Sequence, residues 1–325
     1  MIISRTPLRI SFAGGGTDLK SFYELEPGAV LSTAIDKYIY ITVNKKFDHR
    51  IRLSYSKTEI VDTVNEIQHD LVRESMKLTG VTSGIEITSI ADIPSRGTGL
   101  GSSSSFTVGL LNALYAYKGE SASAERLADE ACYIEIEKVK EPIGKQDQYI
   151  AAYGGLQFIE FMPDDQVFVD PVICKKETKQ KLQKHLLLLY TGITRKANTI
   201  LTEQKSNSAS KRDTLSAMRK LADELHKVLR EGKNINQVGE LLHEGWNLKK
   251  QMASGISNPE INELYELALK KGALGGKILG AGGGGFLLLF CPQNKRTAVK
   301  NALANLQETP FKLEPQGSKI IYVEE

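Results

Sequence analysis

Between a strand-like run that ends at Ile93 and the helically spaced apolar stretch FTVGLLNALYAY, the chain carries the loop GTGLGSSSS at residues 97–105. A strand feeding a glycine loop that opens a helix confines the fold to mixed α and β architecture. The same arrangement makes an anion site. N–H groups and the positive dipole end of a helix N-terminus face whatever the glycines allow to approach. Gly97, Gly99 and Gly101 free the backbone, and the hydroxyls of Ser102, Ser103, Ser104 and Ser105 can cap the helix, bind phosphate oxygens or ligate Mg²⁺. A plain Gly/Ser connector is the alternative, and the flanking strand and helix argue against it. No G-x-x-x-x-G-K-S/T run exists, which excludes a Walker loop. A formal G-x-G-x-x-G at Gly280, Gly282 and Gly285 precedes FLLLF, a strand pattern where a dinucleotide fold needs a helix.

A chain of 325 residues exceeds the size at which one hydrophobic core usually stops growing. Two domains sharing a cleft are expected. LRISFA, AVLSTAIDKYIYITVNKK, IRLSYS and GIEITSIADIP read as strands. A second helix is predicted from about Ser123, its cap, to about Lys140, before Pro142. LQFIEF and QVFVDPVI again resemble strands. From Lys175 the pattern is mostly helical, through TLSAMRKLADELHKVL, INQVGELLHEGWNLKKQM and NPEINELYELALKKG. Strands return with KILGAGGGGFLLLF and SKIIYVEE. The expected division is 1–170 and 171–325, near Pro171.

With 42 basic against 39 acidic residues, the net charge of +3 supplies no field for a nucleic-acid backbone. Lys175, Lys176, Lys179, Lys181 and Lys184 read as a solvated helix face. Cys132, Cys174 and Cys291 are far apart and form no Cys-x-x-Cys pair, which predicts buried free thiols in a reducing compartment. Neither a signal-peptide core nor a run of roughly 18 apolar residues is present, so the expectation is a cytoplasmic chain with no membrane partner. Monomer and homodimer both remain open. The five histidines form no H-x-x-x-H pair and no G-x-S-x-G elbow occurs, which argues against metalloprotease and hydrolase chemistry.

Phosphoryl transfer needs a metal on the phosphates and often a carboxylate for the attacking hydroxyl. Glu135 and Glu137, two apart on one helix, point to different faces, so only one can look into a site. Asp147, in PIGKQDQY, either caps a helix or acts in catalysis, and Lys145 could offset its charge or that of a phosphate. In RISFAGGGTDL, Gly14, Gly15 and Gly16 either form a tight turn or leave room for a ligand, with Asp18 placed to accept hydrogen bonds from sugar hydroxyls.

RTPLRISFAGGGTDL, PSRGTGLGSSSS and KILGAGGGGF, in this order, resemble the three motifs of the GHMP kinases, the family of galactokinase, homoserine kinase and mevalonate kinase. The resemblance spans nearly the whole chain. It implies an α+β, two-domain fold, with a ribosomal protein S5-like N-terminal domain, a ferredoxin-like C-terminal domain and the active site between them. It further implies that Gly97, Thr98, Gly99, Leu100, Gly101, Ser102, Ser103 and Ser104 hold ATP, and that Ser103 and Glu135 ligate Mg²⁺, with Glu137 the fallback. Asp147 matches the family's catalytic base, with Arg9 and Lys145 beside it in catalysis. Arg9 and Asp18 match the arginine and aspartate of galactokinase's R-x-N-L-I-G-E-H-T-D. Arg9, Gly15, Gly16, Asp18, Asp147, Gly282 and Gly283 are the implied substrate contacts. Gly15 and Gly16 replace the Glu-His pair of that motif, which argues against galactose. AGGGTD together with EPIGKQDQY is most similar to the family's D-glycero-D-manno-heptose 7-phosphate kinases, which phosphorylate the anomeric hydroxyl on the way to nucleotide-activated heptoses. Similar motifs in fucokinases leave fucose or an N-acetylhexosamine as alternative acceptors. A non-catalytic sensor is the reading from another class, against which the intact Asp147 and serine loop count.

Overall fold

The computed structural model describes residues 1–94, 97–193 and 197–324. Ser95 and Arg96, which open the PSRGTGLG motif, and Glu325, which ends SKIIYVEE, lie outside the described residues.

Strand β1 (Ile2–Ala13) passes through a short helix, α1 (Lys20–Tyr23), into the 18-residue strand β2 (Gly28–Lys45). The two pair antiparallel along almost the whole of β1. There follow β3 (Ile51–Ser54), β4 (Thr58–Val61), α2 (Asp70–Thr79) and β5 (Ile85–Ala91). Helix α2 interrupts what the sequence suggested was a run of strands, and it stops at Gly80, whose φ of 71° is the left-handed conformation that ends helices. Next come α3 (Ser102–Tyr117), α4 (Ala124–Cys132), α5 (Gln146–Tyr153), β6 (Leu156–Phe161) and β7 (Val167–Pro171). Because β2 is so long, one of its edges serves two neighbours: Gly28–Thr33 pairs with β6 and Ile39–Lys45 with β5. Helix α3 is apolar on nearly every side and is buried from Ser104 to Tyr115, packed between β1 and β2 below and α4 and α5 above. The Ser123 hydroxyl accepts from the Arg126 N–H and caps α4, as expected, but past Cys132 the helix widens into a π-helical turn over Tyr133–Lys138.

The chain then continues through α6 (Lys176–His185), β8 (Leu186–Tyr190), α7 (Ala197–Asn207), α8 (Arg212–Glu231), α9 (Gln237–Lys249) and α10 (Pro259–Lys270). It ends with β9 (Gly275–Ile278), β10 (Phe286–Phe290), α11 (Gln293–Ala302), β11 (Gln307–Glu308) and β12 (Lys319–Val323). Four of these strands form an antiparallel sheet in the order β11-β8-β10-β9. Alternation along its strands splits the apolar side chains. Leu187, Leu189, Ile278 and Leu287 face Trp246 and Tyr265, while Leu188, Leu288 and Phe290 join Leu221 and Leu225 of α8 in the main core. The lysines expected on a solvated face are exposed along α6 and just before it. Among the described residues no helix is long and apolar enough to cross a membrane.

One strand crosses the expected boundary at 170/171. Strand β12 leaves the C-terminal half and pairs antiparallel with β1, Ile2 opposite Val323, so that among the described residues the first sheet has eight strands, in the order β12-β1-β2-β5-β3-β4, with β6 attached to β2 and β7 to β6. An unpaired β1 edge would expose a row of backbone donors and acceptors, and β12 covers it. The main core likewise crosses the boundary, joining Leu8, Ile10 and Leu31 to Leu221, Leu225 and Leu288. Cys132 and Cys291 are buried free thiols as expected, whereas Cys174 is half-buried.

Candidate active site

Arg9 lies near the middle of β1, where its N–H donates to the Leu100 carbonyl at 3.0 Å and so ties the strand to the glycine loop. Its side chain is buried, and each of its three nitrogens makes a hydrogen bond. Nε and Nη2 donate to the two oxygens of Asp147 at 2.7 and 2.6 Å, and Nη1 donates to the Gly99 carbonyl at 2.5 Å. A two-pronged guanidinium–carboxylate pair fixes both groups in angle as well as distance. Asp147 stands in the first turn of α5, and its carboxylate goes to Arg9 instead of capping that helix. Gly101 has a left-handed φ of 75°, and a Cβ there would lie 3.2 Å from Arg9 Cγ and 3.3 Å from Asp147 Oδ2.

The serines that follow divide their partners. Ser102 faces Thr98 at 3.4 Å, Ser104 donates to Glu135 at 2.7 Å, and Ser105 donates to the Pro7 carbonyl at 2.8 Å. Ser103 is the exposed member. The C-terminal glycine loop, between antiparallel β9 and β10, lies against this phosphate loop: a Cβ on Gly99 would sit 2.3 Å from the Leu279 oxygen, and one on Gly285 2.6 Å from the Thr98 oxygen. The strand on either side confirms that the Gly280, Gly282, Gly285 pattern is no dinucleotide motif.

Glu135, in the π-helical turn, is fully buried. It accepts from Ser104, from Thr107 at 2.6 Å and from Gln148. No basic side chain pairs with it among the described residues. Burial therefore dominates and pushes its carboxyl up to about 7; the three hydroxyl and amide bonds pull back, and the nearby Asp147 adds to the rise. The fallback Glu137 is corrected by its position, because it is exposed and bonded to Lys140 at 3.2 Å on the surface. The hydroxyl in contact with Glu135 belongs to Ser104, not to Ser103. A single carboxylate with hydroxyls around it is an all-oxygen donor set, which suits Mg²⁺, an ion that takes its other ligands from phosphates and water.

Beside the Arg9–Asp147 pair a pocket opens, lined by Gly15, Gly16 and Asp18 among others. Asp18 is buried, accepting from the Gly16 N–H at 2.8 Å and from the Gln146 side chain at 3.0 Å. Burial raises its carboxyl above the ordinary value and the charge of Asp147 adds to this, while the bonds from Gly16 and Gln146 oppose it. Two expected residues fall elsewhere. Lys145 turns away to Asp165 at 3.1 Å and lies over the Tyr23 ring, because its neighbour Asp165 offers a carboxylate that Asp147 has already given to Arg9. Gly282 and Gly283 pack on Ile256, whose carbonyl accepts from the Gly283 N–H at 2.8 Å, and Gly280 and Ala281 reach the pocket instead. Sequence reasoning missed Ser11, Gln146, Gln204, Lys249 and Lys277 on the pocket wall. Lys277 left a trace, a lone charge in the apolar strand GGKILG, but Lys249 sits in NLKKQ, where nothing local tells the buried lysine from its half-buried neighbour.

Residues 53–155 match the family described as GHMP kinases N terminal domain, and residues 218–309 match GHMP kinases C terminal. Over 323 residues the chain is 31% identical to the D-glycero-alpha-D-manno-heptose 7-phosphate kinase of Campylobacter jejuni, covering 94% of each protein. Among solved structures, a putative sugar kinase from Campylobacter jejuni superposes with a TM-score of 0.80 at 28% identity, over 99% of this chain and 98% of that one. A D-glycero-D-manno-heptose 1-phosphate kinase from Bacteroides thetaiotaomicron superposes with a TM-score of 0.82 at 23% identity over the full length of both chains, a likeness of fold.

Proposed function

Because this chain belongs to the GHMP kinases and is a sugar kinase that takes phosphate from ATP to a hydroxyl, we propose that its acceptor is the anomeric hydroxyl of D-glycero-D-manno-heptose 7-phosphate, the products being the 1,7-bisphosphate and ADP. The Campylobacter relative named for that substrate supports the choice of sugar. The observation that carries the mechanism is the Arg9 bridge, which joins Asp147 to the phosphate loop through the Gly99 carbonyl.

In this reading Asp147 accepts the proton of the anomeric hydroxyl as its oxygen bonds to the terminal phosphorus of ATP and the bond to ADP breaks. Arg9 holds base and loop in one register, so the acceptor and the phosphoryl group meet in line. Asp18 orients sugar hydroxyls, and Gly15 and Gly16 leave the space. Two buried atoms on the pocket wall, Ser11 Oγ and Gln146 Oε1, have no protein partner among the described residues, and sugar hydroxyls would satisfy them. Ser103 and Glu135 would hold Mg²⁺, which offsets phosphate charge when bound. A buried carboxylate with no basic partner is the feature that favours a cation there.

The test is ADP release over a panel of hexoses, fucose, N-acetylhexosamines, heptose and heptose 7-phosphate, with the product position read by phosphorus NMR. The highest kcat/KM is expected for heptose 7-phosphate, with the new phosphate on the anomeric oxygen. Preference for an unphosphorylated sugar, or transfer to another hydroxyl, would overturn the assignment.

A further inference from the structure

Two lysines of the pocket wall take no part in the mechanism above. Lys249 ends α9 and its ammonium donates to the Gly280 carbonyl, in the glycine loop that abuts Gly99. Lys277 projects from β9 across to β1 and donates to the Phe12 carbonyl at 3.2 Å. Each is about as buried as a core residue, at 5% exposure. Among the described residues neither ammonium pairs with a carboxylate, and each has one carbonyl partner for its three N–H bonds. Arg9 is a third cation nearby, and of the two pocket carboxylates Asp147 is already committed to it.

Burying two ammonium groups side by side is expensive, and it is disfavoured further by their mutual repulsion. The molecule shows this strain. Burial, together with Arg9, lowers Lys249 to about 8, and burial, with Lys249 beside it, depresses Lys277 well below the ordinary lysine range, while Asp18 opposes both shifts. As mere ties between β1, β9 and the glycine loop, two lysines are poor choices, since methionine would fill the same space without a charge. An anion in the pocket would use the spare N–H bonds and relieve the repulsion together.

We propose that Lys249 and Lys277 form a phosphoryl-binding subsite within the sugar pocket. The group bound is a phosphate dianion, either the one in transfer or the one the sugar already carries, and the second of these rests on the acceptor proposed above.

The experiment compares wild type with Lys249→Met, Lys277→Met and, as a control for lost charge, Lys250→Met, whose side chain lies over Trp246 at the helix end. Saturating ADP occupies the phosphate loop, and inorganic phosphate is titrated while the melting midpoint is followed. Wild type and Lys250→Met are expected to rise with phosphate, and the two pocket variants to lose that rise while melting no lower than wild type. Both pocket variants are also expected to lose at least about ten-fold in kcat/KM. A fall in kcat at saturating substrates assigns the group in transfer. A raised KM for heptose 7-phosphate, with heptose itself unaffected, assigns the sugar's own phosphate. If the methionine variants do not fold, Lys249→Gln and Lys277→Gln, which keep a donor for each carbonyl, decide the matter. The proposal is overturned if wild type shows no phosphate shift with ADP bound, if the pocket variants keep it, or if their activity falls only in step with the melting midpoint. A phosphate shift that depends on the lysines in an enzyme that ignores heptose phosphates would sink the acceptor assignment and leave the subsite standing.

Discussion

Asp147→Asn keeps the shape of the side chain and one of its two bonds to Arg9 but removes the proton acceptor. Turnover is expected to fall by about a thousand-fold or more, with ATP affinity within about two-fold; near-normal turnover in a steady-state assay would remove Asp147 as the base. Glu135 makes a different prediction, about pH. Its folded-state value of about 7 stands above the ordinary 4.5, so between those values the folded chain holds more protons than the unfolded one. Stability from this group therefore falls as pH rises through that window, and above it the folded state carries a penalty of roughly 3 kcal/mol. In metal-free buffer Glu135→Gln is expected to be more stable than wild type near about pH 8, with the difference vanishing near about pH 4.5. Adding Mg²⁺ near about pH 8 should close the gap by raising wild type alone, and parallel stability–pH curves for the two proteins would refute the assignment. At this scale the sequence offers Asp147, Arg9 and Asp18 within motifs of distinctive residues, and Glu135 only through the family resemblance, with Glu137 as its alternative. It misplaced Lys145 and overlooked Lys249, because the direction of a lysine depends on which carboxylates and carbonyls distant segments bring near it.

The two glycine loops at the phosphate end make opposite predictions, although both read in the sequence as ligand-binding. Gly99 has a φ of 72°, and a Cβ would stand 2.3 Å from the Leu279 oxygen, so Gly99→Ala forces the phosphate loop off its neighbour. The KM for ATP is expected to rise at least about ten-fold. Gly282, with a φ of 99°, packs on Ile256, backbone and side chain, so Gly282→Ala should lower the melting midpoint and leave the KM for sugar within about two-fold. A sugar KM that rose sharply in Gly282→Ala would return that residue to the pocket. Helices α8, α9 and α10 were legible from apolar spacing alone, as was the strand pair around the last glycine loop. The π-helical turn that aims Glu135 inward was not, since one widened turn leaves the 3.6-residue pattern nearly intact.

At the scale of the whole molecule, one pairing crosses the expected division. A change from strands to helices near Pro171 suggests a soft boundary there, but a strand belongs to the sheet that pairs with it, wherever it lies in the chain. Removing residues 319–325 strips the cover from the first residues of β1, and the melting midpoint is expected to fall by several degrees with aggregation near the transition. An unchanged midpoint and a monodisperse product would show that β1 needs no cover. The neighbouring Ser318 has its own ties, to Thr6 of β1 at 2.8 Å and to Asn112 of α3 at 3.0 Å. That pairing also has a consequence for biosynthesis. Translation makes β1 long before β12, so the sheet edge at Ile2–Arg5 stays open until β12 emerges. A stop codon placed just before residue 319 would therefore damage the sheet at β1, a strand made long before it.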